Sequence, residues 1–263
     1  GLMNRQLGEF GEESCDLLWL LMQRLPNGGR GIIAYNIGAR IRFFDPLIRE
    51  ALFTGVAPGD TRIVAQCMLM NYEDLSIQEK ETLWKMIADM MPRSGEMAAM
   101  VLPYIRMLDA REQDRLLRIT LTSEGYGGRE ALSQLLAGGR DDLAGLTLDV
   151  MLNLINEGSV EERSRLPWFL LWNRRSFGPR AWEALGTLAL DRDPTVRKAI
   201  AFGIRRLGFM GEGERDLLER LSMDTERSVR AAAGEALAEF ASSGGLNEGV
   251  LKHLSSDTDA FVR

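Results

Sequence analysis

The segment Asp-x-x-x-x-Val-Arg occurs three times near the end of this 263-residue chain, at Asp191–Arg197, Asp224–Arg230 and Asp257–Arg263. The three valines, Val196, Val229 and Val262, are 33 residues apart at each step. A fixed period of this length requires a stack of similar structural units, each burying its apolar faces against its neighbours. The register extends beyond the signature. Leu185, Leu218 and Leu251 align, as do Leu188, Leu221 and Leu254, and Ala199-Ile200 aligns with Ala232-Ala233. Apolar residues recur at helical spacing in two blocks per period, separated by the Asp-rich segment. Each unit therefore reads as a helix, a tight turn and a second helix.

The turn residues agree with this reading. Asp193 and Pro194 stand where a carboxylate caps free N–H groups and proline fits a first helical turn. Gly208, Gly211 and Gly213, and later Gly244-Gly245, read as ends of the second helices. Small residues (Ala199, Gly203, Ala232, Ala236) predict close helix–helix approach, and Leu217, Leu218, Leu221, Leu237 and Phe240 predict the apolar fill between layers.

The Asp-x-x-x-x-Val-Arg-x-x-Ala spacing over 191–199, 224–232 and 257–263 resembles HEAT repeats, in particular the short variety of phycobilisome-lyase-like proteins. The resemblance covers 181–263, about a third of the chain. Ankyrin repeats would bring a Thr-Pro-Leu-His turn and tetratricopeptide repeats an early Trp framework, and both are missing here. The resemblance implies an all-α fold, a right-handed α–α superhelix of stacked helical hairpins. It also implies that second helices line the concave face.

Upstream, Asp45–Leu52 echoes Asp193–Ile200 and reads as an older copy of the unit. Ser76–Glu79 reads as a capping box before the amphipathic run Leu83–Met91. Periodicity predicts helices over 94–107, 111–122, 129–137, 141–156 and 166–175, with loops at Gly125–Gly128 and Gly138-Gly139. The expected organisation is 1–125 as diverged helical repeats and 126–263 as regular ones, continuous as one solenoid. The last signature stops inside a second helix, so the expectation is a chain cropped from a longer one.

Composition narrows the chemistry. The net charge of -6 gives no global basic footprint for nucleic acid. Cys15 and Cys67 form no disulfide framework or zinc pattern and read as buried free thiols in a reducing compartment. No run approaches a membrane span or signal peptide, so the expected location is cytoplasmic, with no membrane partner. A single histidine, His253, excludes a two-histidine metal site and argues against a serine or cysteine triad. The acid pairs Glu12-Glu13, Asp141-Asp142 and Glu161-Glu162 point about 100° apart on a helix and fit helix starts better than a catalytic dyad. Gly28–Gly31 and Gly125–Arg129 lack the Lys-Ser/Thr of a phosphate loop. The expectation is no catalytic residue, no metal and no cofactor.

Two sets of residues remain. Arg197, Arg230 and Arg263 lie in the first turn of a helix, where the dipole disfavours a cation. Compensation is expected from Asp191, Asp224 and Asp257, or from Asp193, Glu226 and Asp259, in the same or the adjoining unit, as a structural ladder. Second, the span 163–206 holds ten cations against three acids, with interleaved aromatics. From it Trp168, Trp172, Arg174, Arg175, Lys198, Arg205 and Arg206 are the expected binding residues on the inner surface. The expected function is a non-enzymatic scaffold or regulatory module that holds another protein or an acidic peptide. Nucleic-acid binding, in the manner of the alkylbase DNA glycosylases built of HEAT-like repeats, is the alternative. A bilin-lyase-like activity follows from the repeat resemblance alone.

Overall fold

The computed structural model describes residues 49, 53, 61–90, 101–123, 127–241, 252 and 255–257, with a few side chains inside these ranges excepted. His253, Cys15, Val262, Arg263 and most of the Asp45–Leu52 echo lie outside the described residues. Among the described residues every regular element is a helix, so the fold is all-α. The chain divides into two compact units, Gly1–Leu116 with Ser123–Gly128, and Leu117–Thr122 with Arg129–Arg263.

In the first unit, α1 (Thr61–Met70) and α2 (Ile77–Met90) flank a short 3-10 turn, Tyr72–Asp74. Their shared core is Val64, Met68, Leu69, Tyr72, Leu83, Trp84 and Ile87. The Ser76–Glu79 capping box is present: each residue's backbone N–H donates to the other's side chain, at 2.7 and 3.3 Å. Cys67 is buried and not in a disulfide. The predicted helix over 94–107 is described only at its end, as a 3-10 helix over Leu102–Met107. α3 (Ala110–Thr122) follows, and its last part, Leu117–Thr122, belongs to the second unit. It opens with a second capping box, Asp109/Glu112. The Glu112 carboxylate also accepts from the Tyr72 hydroxyl and, at 3.4 Å, from Trp84 Nε1. Burial first, and then this bond, push the Tyr72 phenol well above its ordinary pKa.

The second unit carries the repeats, and here the α-solenoid architecture is direct. Its helices are α4 (Gly127–Ala137), α5 (Asp141–Glu157), α6 (Val160–Trp172), the single turn α7 (Arg174–Phe177), α8 (Pro179–Leu188), α9 (Pro194–Leu207), α10 (Glu212–Ser222) and α11 (Arg227–Ala241). They pair as hairpins α5/α6, α8/α9 and α10/α11. Residues at matching repeat positions sit in equivalent, fully buried places: Leu185 and Leu218, Val196 and Val229, Ile200 and Ala233, Ile204 and Leu237. Each large aliphatic buried this way contributes about 1.5–3 kcal/mol.

The local chemistry explains the boundaries. Asp193 N-caps α9 through its side chain, which accepts from the Thr195 N–H at 2.8 Å, and Pro194 occupies the first helical position. Gly208, at φ +71°, ends α9 in the left-handed region. The other two glycines expected to end it do something else. Gly211 N-caps α10, and Gly213 lies within α10. The predicted helix over 166–175 instead runs Val160–Trp172. It starts from a Ser159/Glu162 capping box and contains Pro167 in its body. Gly127 and Gly128 belong to the first turn of α4 rather than to the preceding loop.

Small and large residues divide the stack into two sides. The second helices form a continuous row, with α9 packed along α6 on one flank and α11 on the other. Their contact is close because Gly203 has no side chain. A Cβ built there would stand 2.8 Å from Leu171 Cδ1 and 3.4 Å from the Trp168 Cα. Between first helices α8 and α10 the spacer is an indole: the Trp182 ring lies 2.7–2.8 Å from where a Gly213 Cβ would be. Glycine between second helices and tryptophan between first helices make the second-helix row the tight side.

Two glycines should therefore behave in opposite ways. Gly203→Val forces α6 and α9 apart and should cost about 1–3 kcal/mol. Gly186→Ala, in α8 with nothing within 4 Å of the added methyl, should leave the protein unchanged or gain up to about 1 kcal/mol. Thermal melts of the two variants check this, since equal losses would show that the α6–α9 approach is not tight.

Candidate binding surface and the ladder beside it

A ladder of ion pairs fixes where each second helix begins. Arg197, in the first turn of α9, donates Nε to Asp224 Oδ2 at 2.6 Å and Nη2 to Asp224 Oδ1 at 2.7 Å. Arg230 does the same to Asp257, at 2.7 and 3.1 Å. The carboxylate partner is thus the signature aspartate of the following repeat. The remaining nitrogen, Nη1, turns back to its own repeat. In Arg197 it donates to the Asp191 and Arg192 carbonyls, and in Arg230 to those of Asp224 and Thr225. Each guanidinium therefore ties the turn of its own repeat to the turn of the next. The aspartates are further fixed by backbone donors, Asp193 N–H to Asp191 Oδ1 at 2.9 Å and Glu226 N–H to Asp224 Oδ1 at 2.8 Å. Arg263 lies outside the described residues.

A rung that the sequence pattern does not announce completes the series. Arg163, one repeat before Arg197, clasps Asp191 at 2.6 and 3.1 Å and donates Nη1 to the Gly158 carbonyl. Its signal is the constant step from N-cap to arginine, Ser159 to Arg163 and Asp193 to Arg197. It is hidden because Glu162 stands where the signature has valine. One repeat further back, Arg129 is buried and donates to the Leu121 carbonyl at 3.1 Å. In the first unit Arg49, the arginine of the early echo, pairs at 3.0 Å with Glu79, the capping glutamate of α2.

The carboxylates of the rungs respond to this setting. Burial pushes the Asp224 carboxyl upward. The hydrogen bonds from the Arg197 guanidinium and the Glu226 N–H, with the charge of Arg197, outweigh it and hold the group below the ordinary carboxylate range. Asp191 is held down in the same way by Arg163 and the Asp193 N–H, against burial.

The residues expected to bind a partner separate into two kinds. Trp168 and Trp172 lie one helical turn apart on α6 and stack at 5.7 Å between centroids with an 18° interplanar angle. Trp172 is 53% exposed, whereas Phe169 between them is fully buried. Phe202, at the matching place on α9 one repeat later, is 44% exposed, and the Lys198 ammonium lies 5.3 Å from its ring centre. Arg205 and Arg206 are exposed on α9, and Arg175 is exposed on α7.

Arg174 is different. Its Nε meets Glu214 Oε1 at 2.9 Å, with both side chains largely buried, and its guanidinium covers the Phe209 ring at 4.7 Å. It is an internal brace from α7 to α10. The cause is Glu214, a carboxylate held inside α10 that accepts the Gly211 N–H and needs a cation. Arg174 is therefore not a surface ligand for a partner.

The cationic surplus of 163–206 is also smaller in space than in sequence. Arg163, Arg165, Arg174, Arg180, Arg197 and Arg205 are paired with carboxylates. All those partners but Asp191 lie outside the span: Glu161, Glu214, Asp149, Asp224, Glu235 and Glu239. Arg205 in particular sits between Glu235 at 3.0 Å and Glu239 at 2.5 Å on α11. These two glutamates occupy the repeat positions of Trp168 and Trp172, and nothing in the sequence pattern marks them. The second-helix row thus changes character along the stack, aromatic on α6, mixed on α9 and acidic on α11.

Among the described residues no group of three or more metal-ligating side chains occurs, and no helix is long and apolar enough to cross a membrane.

No protein-family model and no curated protein matches the chain. Solved structures similar to it include engineered proteins. One engineered protein aligns with a TM-score of 0.42 and 14% identity, covering 89% of this chain and 99% of its own. A designed armadillo repeat protein in complex with a (KR)4 peptide aligns with a TM-score of 0.42 and 15% identity, covering 91% and 98%.

Proposed function

We propose that this chain is a non-enzymatic HEAT-like repeat module that holds a segment of a protein partner along its second helices. The observation that carries the reading is the Trp168–Trp172 stack with its exposed outer ring, continued one repeat later by Phe202 under Lys198. Large aromatics held open on a rigid helix row are the side chains that dominate protein recognition. Stacking already fixes their rotamers, so binding orders little more. The cations beside them, exposed Arg175 and half-buried Lys198, favour an acidic segment that also carries aromatic residues. Arg205 serves as the divider between this zone and the acidic surface of α11.

Binding of a fluorescein-labelled peptide of alternating glutamate and phenylalanine, read by anisotropy, tests the reading. Trp172→Ala should weaken binding about 30-fold, the equivalent of about 2 kcal/mol. Arg175→Glu with Lys198→Glu should weaken it further at low salt, with the melting temperature unchanged. Oligothymidine binding that is tighter and falls steeply with salt would replace this reading with the nucleic-acid one. The pairing of six cations with carboxylates argues against that outcome. The bilin-lyase reading rests on the repeat alone, and a repeat fold does not carry an activity.

A further inference from the structure

A second surface lies away from the tryptophan stack, where first helices end and turns begin. A cleft of about 800 Å³ opens there, lined by the ends of α5 and α8, the 191–192 turn and Arg220 of α10. Its charges do not cancel internally. Arg163 and Asp191, which line it, satisfy one another as a ladder rung. Glu183, Arg192 and Arg220 remain, and neither Arg192 nor Arg220 has an ion-pair partner among the described residues. The cleft thus keeps one net positive charge, with two guanidinium groups exposed on its walls.

Its wall and rim are apolar as well as cationic. Gly186 lines it without a side chain, and nothing lies within 4 Å of where a Cβ would be. Leu190 is 73% exposed, and Met223, its equivalent in the next repeat, is 61% exposed. Leucine and methionine placed in water at the same repeat position stand apart from the fully buried columns of the unit. Arginine forks favour the planar geometry of a carboxylate, and the single surplus charge matches one such group.

We infer that this turn-edge cleft is a docking site for a protein segment that sets an aspartate or glutamate beside a leucine-like side chain. The carboxylate takes Arg192 and Arg220, and the neighbouring apolar side chain covers Leu190. This site is separate from the aromatic row and does not depend on that reading.

The test uses the full chain and a fluorescein-labelled octapeptide of alternating aspartate and leucine, with the lysine–leucine octapeptide and inorganic phosphate as further probes. The expected result is that the aspartate peptide binds and the lysine peptide does not. Arg192→Gln with Arg220→Gln should raise the dissociation constant at least tenfold with an unchanged melting temperature, and Leu190→Ser about threefold. Trp172→Ala and Lys198→Glu should leave it within twofold, which separates this site from the proposed partner row. Absence of binding to the wild-type chain overturns the inference. So does binding that the double glutamine variant leaves intact, or displacement of the peptide by phosphate at low millimolar concentration, which would mark a simple anion site.

Discussion

Asp224→Ala should lower the stability of the C-terminal unit by about 3–5 kcal/mol, the range for removing one partner of a buried, hydrogen-bonded ion pair. The loss is large because one side chain serves three connections. Its oxygens take both donors of Arg197, and Oδ1 also takes the Glu226 N–H that shapes the turn before α11. Without the carboxylate, Arg197 keeps only its bonds to the Asp191 and Arg192 carbonyls. Its charge then sits in the first turn of α9, against the helix dipole. Asp224→Asn should retain part of the turn geometry and lose less. Urea unfolding at neutral pH measures both.

The same carboxylate sets a pH dependence of known sign. Its pKa is depressed in the folded chain, so the folded state binds its proton less readily than the unfolded state does. The stability it supplies is full above the unfolded carboxylate value, about 4, and is lost as pH falls through the lower folded value. Asp191 behaves alike. The urea midpoint of the wild-type chain should therefore fall steeply below about pH 4, and less steeply in Asp224→Ala. Parallel acid losses in the two proteins would show that the rung is not formed.

Val229→Asp should be at least as damaging, above about 4 kcal/mol, because a carboxylate placed there loses its water and gains no partner. Val229 has no exposure. Arg230, beside it in sequence, is committed to Asp257. The damage should be local first. A stack holds together by nearest-neighbour contacts, so α10 and α11 should lose hydrogen-exchange protection while α5, α6 and the core of α8 keep theirs. Val196→Asp, one repeat earlier at an equally buried place, should expose both flanking hairpins at once. A uniform loss of protection across the unit in both variants would mean that the repeats do not fold as separable layers.

Legibility in the sequence depends on the kind of contact. The buried columns are legible, because Leu185/Leu218 and Val196/Val229 repeat both residue and register. The ladder residues are legible as types, since a cation in a first helical turn demands an acid. Which acid is not, because a constant period makes the same-repeat and next-repeat aspartates equivalent in sequence. Only the stacking direction separates them. Arg163 escapes as a rung because its repeat keeps the capping geometry and lacks the valine.

The binding surface is legible in part. Helical spacing places Trp168, Phe169 and Trp172 near one face, and the structure divides them into one buried ring and a stacked pair that opens to solvent at Trp172. Charge counted along the chain misleads most. Arg174 and Arg205 find their carboxylates on α10 and α11, so far along the chain that no window centred on the cations includes them. The start of α6 is misplaced because Pro167 interrupts the pattern inside the helix, a position from which proline is normally excluded.

Consecutive hairpins are congruent, and each arginine braces its own turn to the following one. A double-mutant cycle on Arg197 bears on both statements at once, pairing Arg197→Ala first with Asp224→Ala and then with Asp191→Ala. The expected coupling with Asp224 is about 1.5–3 kcal/mol. With Asp191, whose side chain is clasped by Arg163 and meets Arg197 only through the attraction of their charges, the coupling should be much smaller, below about 0.5 kcal/mol. Coupling of equal size with both aspartates, or larger with Asp191, would contradict the bracing from each repeat to the next.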